Sequence, residues 1–293
     1  IFDGTVALTA GPVAEIPVAE FDASEYEIRV NETYYEQIVR EQQPLPDLFP
    51  EVPMYNELHT AESRYIAGMH FLRYRDPKAD PDAYFKAALE IDPEYIPALT
   101  ALGETAISRG EFAQAKASLE AAVKAATKYC YHMDSGKTLY LLAYANEMLG
   151  NYKVAYDLYR KSAWSEDSIS ASMTRASMLD AKRGEYKSAV KMADTAISRN
   201  TDNAIAAAIA AIAQYKAGNL DCAKARIEAE LKRDKLNHLA RYAAVLCGMM
   251  TEADFYGKLN SNPSQTCLDI AFDMLAAGFE DETKALLSNL PNY

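Results

Sequence analysis

Apolar positions along the chain follow two periods, and the change falls near Glu57. Before residue 43 apolar and polar residues alternate: Val6 and Leu8 with Thr5, Ala7 and Thr9, then Tyr26, Ile28 and Val30 with Glu27 and Arg29. Alternation of this kind predicts strands. After Glu57, small and apolar residues return every three or four positions, which predicts helices with one buried stripe.

Within the helical region a single stretch recurs. Arg109–Val123 reads RGEFAQAKASLEAAV, and its pattern returns from Leu149, Arg183 and Ala217. The glycines of the four copies, Gly110, Gly150, Gly184 and Gly218, are 40, 34 and 34 residues apart. A fixed period in this range marks a repeat array, whose units are too small to bury an apolar face alone and stack on their neighbours. Each unit reads as two antiparallel helices. Ile96–Ser108 is the first; Gly110 follows it, where a chain leaving a helix takes the left-handed conformation that Gly adopts without a Cβ penalty. In the second, Ala115, Leu119 and Ala122 lie on one stripe. Gly184 is expected to be left-handed for the same reason as Gly110.

In chain order, residues 1–43 are a short β segment of three or four strands, with Ile16, Pro17 and Val18 at an edge or bulge and a last extended stretch at Ile38 and Val39. It reads as the tail of a β-sandwich whose earlier strands are missing, or as a small sheet leaning on the helices. Residues 44–56, with Pro44, Pro46, Pro50 and Pro53, form a stiff linker. Residues 57–293 are the array. Ala61–Arg73 pairs with Asp82–Ile91, and three later units follow around Gly150, Gly184 and Gly218. An insertion, Thr127–Gly136, accounts for the long first gap. Beyond Asp234 the register fails at Asn237–Gly248 and Thr251–Leu259, and a last pair, Ser264–Ala277 with Asp281–Leu290, recovers it at Gly278. That makes six recognisable pairs and one degenerate pair.

Charge sharpens the division. The formal net charge is −12, of which residues 1–53 carry −9 and the remainder −3. An acidic chain without a basic stripe argues against nucleic acid. Cys130, Cys222, Cys247 and Cys267 show no paired spacing and are expected as buried free thiols. No apolar run is long enough to span a bilayer. The chain opens IFDGTVALTA without Met, so it is read as a piece of a longer, soluble protein, with the compartment left open between bacterial cytoplasm and periplasm.

Gly110, Ala115, Leu119 and Ala122, with Gly103 in the first helix and the closing run Leu89-Glu90-Ile91-Asp92-Pro93, resemble the tetratricopeptide repeat family. The signature Trp is absent, Ser162 stands for one packing Ala, and Ala193 for one aromatic. The resemblance covers about residues 60–290 and implies an all-α fold, a right-handed α-α superhelix, behind the β segment. More narrowly, residues 58–75, Tyr152–Ser165 and Asp234–Tyr242 are similar to the C-terminal helical region of large bacterial proteins with a β-rich, carbohydrate-active-like N-terminal half.

The family resemblance implies binding on the concave face made by the first helices. The repeat register places Tyr65, Met69, Arg73, Glu104, Lys137, Tyr140, Tyr144, Glu147, Met178, Lys182, Ile212, Tyr215 and Lys216 there. Aromatic, Met and basic residues in this mixture suit an extended peptide or the stacking of a sugar. Tyr140 and Tyr144 have a second reading, as packing between adjacent repeats. The family's carboxylate clamp is not expected: its positions carry Tyr65, Met69, Ala101 and Leu141, with only Lys137 in place. Trp164 is expected in the core. No catalytic motif is found, His59, His70, His132 and His238 stand singly without a ligand pattern, and neither metal nor cofactor is expected. The neighbours His132 and Asp134, and Glu166 and Asp167, read as ordinary loop and turn residues. The expected function is a non-catalytic interaction or scaffolding module whose partner is a protein, a peptide or its own missing N-terminal domain. The alternative is an accessory region that shapes that domain in a carbohydrate-active protein, with carbohydrate entering only through the full-length chain.

Overall fold

The computed structural model describes residues 28–30, 33–35, 51–259, 262–288 and 290. The chain divides into two compact units, Ile1–Val52 and Pro53–Tyr293. In the first, the described residues form one antiparallel pair, β1 (Ile28–Val30) and β2 (Thr33–Tyr35), with Ile28 opposite Tyr35 and Val30 opposite Thr33. Two strands of three residues fall below what an independent sheet needs. The expected sandwich remnant is therefore not supported. The strands expected around residues 5–9, 16–18 and 38–39, and Pro44, Pro46 and Pro50 of the linker, lie outside the described residues.

The second unit is helical throughout its described residues. Its pairs are α1 (Ala61–Tyr74) with α2 (Pro81–Ile91), α3 (Ile96–Ser108) with α4 (Phe112–Ala126), α5 (Lys137–Met148) with α6 (Tyr152–Ser162), and α7 (Ile169–Lys182) with α8 (Tyr186–Arg199). They continue as α9 (Ala204–Lys216) with α10 (Leu220–Arg233), α11 (His238–Leu246) with the short α12 (Glu252–Tyr256), and α13 (Pro263–Ala276) with α14 (Glu280–Ser288). Through α12 each helix packs on the next in sequence, and first helices also touch across pairs, α3 on α5, α7 on α9 and α9 on α11.

The repeated residues explain this packing. Ala115, Leu119 and Ala122 are fully buried, and Leu119 lies so close to α3 that a Cβ on Gly103 would sit 2.4 Å from its Cγ. Only a residue without a side chain admits that approach. At the far end of α3 the Glu111 N–H donates to the Ala106 carbonyl and the Gly110 N–H to that of Ile107, the two bonds of a Schellman closure. The same pair of bonds closes α7 through Glu185 and Gly184. Gly184 has φ 78°, and nothing lies within 4 Å of where its Cβ would be. Gly184→Val therefore adds backbone strain alone, with an expected loss of about 1–2 kcal/mol in urea unfolding. The first pair departs from the rule, since α1 ends on Arg75 at φ 51° rather than on Gly.

The last pair turns back. Besides its neighbour α11, α13 packs on α7. Met274, Phe279 and Leu286 are essentially inaccessible and share one cluster with Met178, Ile209, Ile212, Tyr242 and Phe255. Polar contacts tie the return down: Lys216 Nζ donates to Glu282 Oε1 at 2.6 Å, the Tyr242 hydroxyl to the Glu282 carbonyl at 2.9 Å, and the Tyr256 hydroxyl to the Leu286 carbonyl at 2.7 Å. At the corner Gly278 has φ 75°, and a Cβ there would stand 2.7 Å from the Lys182 Cα.

Candidate functional site

First helices α1, α3 and α5 leave an open pocket between them. It has a volume of about 270 Å³ and is lined by Tyr65 and Met69 of α1, by Ile96, Pro97, Thr100, Ala101 and Glu104 of α3, and by Ser135, Lys137 and Thr138 at the start of α5. Tyr65 is held as one wall by its ring contacts with Phe85 and Tyr95, each 5.9 Å between centroids. The Thr100 and Thr138 hydroxyls meet at 3.0 Å and join α3 to α5 at the floor. Lys137 Nζ reaches Glu104 Oε2 at 2.7 Å, with both side chains about half exposed. An exposed pair of this kind contributes roughly 0–1 kcal/mol, so either partner can be drawn to an incoming charge at small cost. Four of the thirteen positions expected on the concave face, Tyr65, Met69, Glu104 and Lys137, thus come together. Arg73 is exposed at the far end of α1 and does not line the pocket.

The middle of the expected face is closed by its own pairing. Glu147 is buried, a correction to its placement as a binding residue. It accepts from the Tyr159 hydroxyl at 2.7 Å and from Arg175 Nη2 at 2.5 Å and Nε at 3.2 Å. Burial alone would lower the Arg175 guanidinium; the Glu147 carboxylate outweighs it and holds that group above its ordinary range. Burial, reinforced by the same carboxylate, pushes the Tyr159 phenol well up. Arg175 also covers the Tyr144 ring at 5.3 Å, and Tyr140 lies against Tyr159 at 5.6 Å. Both tyrosines are half-buried, which matches their reading as packing between repeats. No sequence signal marked Arg175, whose partner lies 28 residues away.

The far end of the face is covered by α13 and α14. Met178 and Ile212 are each 1% exposed in the shared cluster, and Tyr215 packs against it. Lys216 is committed to Glu282, and Lys182 lies over the Tyr152 ring at 4.6 Å, beside Gly278. The repeat register placed these residues correctly on first helices. It carried no information about what lies over them.

The insertion folds as a pinned loop. Asp167 Oδ2 accepts from Ser135 Oγ at 2.6 Å and Oδ1 from the Gly136 N–H at 3.2 Å, while Ser162 Oγ donates to the Gly136 carbonyl at 2.9 Å. Burial would raise the Asp167 carboxyl, but the Ser135 and Ser168 hydroxyls and the Gly136 amide hold it below the usual range. Ser162, where the family places Ala, is thus used for its hydroxyl. Trp164 is not core: it is 61% exposed, with His132 at 5.8 Å and Tyr131 at 6.5 Å. Cys247 and Cys267 are buried as expected, whereas Cys130 and Cys222 are exposed. Among the described residues no group of acids, His and Cys has the arrangement of a metal site, and no helix is long and apolar enough to cross a membrane.

Residues 83–130, which span α2 to α4 and the start of the insertion, match the family model of the tetratricopeptide repeat. Solved structures share the fold over more of the chain. YrrB, described as a TPR protein with an unusual peptide-binding site, is 16% identical and superposes with a TM-score of 0.54 over 66% of this chain and 98% of its own. Pseudomonas aeruginosa pilF, at 13% identity, gives 0.56 over 80% of this chain and 99% of its own. A tetratricopeptide repeat protein from Parabacteroides merdae, at 19% identity, gives 0.53 over 78% and 97%. At these identities the likeness establishes the fold: tandem helix pairs of the tetratricopeptide type.

Proposed function

We propose that this tetratricopeptide-repeat array is a non-catalytic interaction module that takes a protein partner by a short peptide segment in the pocket between α1, α3 and α5. The observation that carries the reading is the composition of that pocket. Apolar walls from Tyr65, Met69, Ile96 and Pro97 face hydroxyl and ionic groups from Ser135, Glu104 and Lys137. At about 270 Å³ it lies just under the size of sites that enclose whole small ligands, about 300–1,000 Å³, and suits one or two side chains of an extended chain. The partner's apolar side chain enters against Met69 and Tyr65, and its neighbouring charge exchanges with the Glu104–Lys137 pair. YrrB, with its peptide-binding site on the same fold, is a precedent for the mode. The narrower reading, in which the array steadies a carbohydrate-active β-rich half, draws on no observation in the described residues and stands behind this one.

Peptides selected from a displayed library on the full chain provide the test. Tyr65→Ala and Lys137→Glu should each weaken the selected peptides by about tenfold, ~1.4 kcal/mol. Tyr140→Phe, outside the pocket, should leave them unchanged. Peptides indifferent to both pocket changes would rule the site out.

A further inference from the structure

The helix that closes the inner face is itself apolar on two sides. One side of α13 holds Cys267, Ile270, Ala271 and Met274, all buried against the rest of the array. The other holds Leu268, Phe272 and Leu275, which are 53%, 54% and 47% exposed. Their spacing of four and three puts them in one line along about two turns. A helix apolar on both sides belongs between two partners, and among the described residues only one side has one. The stripe is separate from the pocket between α1, α3 and α5, so the two stand or fall independently.

Charge identifies the second partner. Asp269, exposed beside the stripe, and the half-buried Asp273 behind it are the charged residues of α13, which carries no basic one. Among the described residues Asp269 accepts from Gln265 Nε2 at 2.8 Å; burial pushes the Asp273 carboxyl up, against the opposing charge of Arg175, which is itself bonded to Glu147. The turn into α14 adds the exposed Glu280 and Asp281, while Glu282 is bonded to Lys216. A second copy of this chain would bring the same acidic patch to the contact, with no base on α13 to answer it, since a twofold contact uses one patch on both copies. We propose that the Leu268–Phe272–Leu275 stripe docks a basic amphipathic helix of a partner protein, with its Leu or Phe side chains in the stripe's ridges and its Lys or Arg drawn to Asp269 and to the acidic turn at Glu280 and Asp281. Helix-on-helix packing of this kind reads anchors at the spacing the stripe presents.

Fluorescence anisotropy on the full chain tests this with two labelled synthetic helices that share a Leu stripe and differ only in carrying Lys or Glu on the remaining face. The Lys helix should bind, and raised salt should weaken it. Leu268→Ser/Phe272→Ser should weaken it about tenfold or more, with an unchanged melting curve because both side chains are half exposed. Asp269→Asn/Asp281→Asn, which keeps the stripe, should weaken it by a smaller factor and remove most of the salt dependence. Equal binding of the Lys helix to the stripe variant, or of the Glu helix to the wild type, would overturn the proposal. So would a wild-type dimer in sedimentation that the stripe variant loses, which would make a second copy the occupant.

Discussion

Arg175→Ala is expected to destabilise the helical unit by about 3–5 kcal/mol, the usual loss when one member of a buried ion pair is removed. The size follows from what stays behind. Glu147 keeps only the Tyr159 hydroxyl among its charge-stabilising partners, in a place where its side chain is 6% exposed and that of Arg175 was 10%. A carboxylate so placed has lost its water without a cation in exchange. Replacing both partners, as Glu147→Gln with Arg175→Met, should restore most of the loss, because an apolar or neutral pair of similar volume no longer carries a stranded charge. Urea unfolding of the two variants separates these outcomes. The exposed pair Lys128–Glu94, with side chains 45% and 60% accessible, is the control, and Lys128→Ala there should leave the unfolding midpoint nearly unchanged. A similarly small loss for Arg175→Ala would mean that the α5–α7 interface is wet.

Gly278→Val is the second large effect expected. Gly278 and Gly184 share a left-handed backbone, φ 75° and 78°, so valine strains both by about 1–2 kcal/mol. They differ in what faces them. Gly184 meets open space, whereas a Cβ on Gly278 meets the backbone of α7 at Lys182. Backbone within a packed helix does not swing aside as a side-chain tip does, and forcing it apart adds about 1–3 kcal/mol of overpacking. The change also loosens the cluster formed by Met274, Phe279 and Leu286 with Met178 and Ile212. Its effect reaches α7 and α9, three and two pairs away along the chain.

Legibility in the sequence follows the range of the forces involved. Gly110, Gly184 and Gly278 were readable because a helix end and a turn are local events, governed by φ and by the next few residues. Ala115, Leu119 and Ala122 were readable because a stripe at helical spacing has one use in a repeat. The left-handed Arg75 was not, since its backbone belongs to a state that sequence assigns to Gly. Glu147 looked like a surface acid on a first helix; its burial depends on an arginine one repeat away and a tyrosine on the intervening α6. Trp164 was expected inside, but the insertion supplies Tyr131 and His132 as ring contacts outside the core. Met178 and Ile212 lie on first helices, α7 and α9, and the return of α13 over them has no counterpart in the repeat pattern. The pocket was only partly legible. Tyr65, Met69, Glu104 and Lys137 were visible through the register, while Thr100, Ser135 and Thr138 emerged only with the fold.

The chain's own last helix pair packs over α7 and α9, while the pocket between α1, α3 and α5 stays open. Urea unfolding of Gly278→Val beside Gly184→Val isolates the closure, because the two changes share their backbone strain and differ only in the contact with Lys182. Gly278→Val is expected to lose about 1–3 kcal/mol more than Gly184→Val. Equal losses would show that the last pair does not lie against α7, and the inner face of α7 and α9 would then be open to a partner.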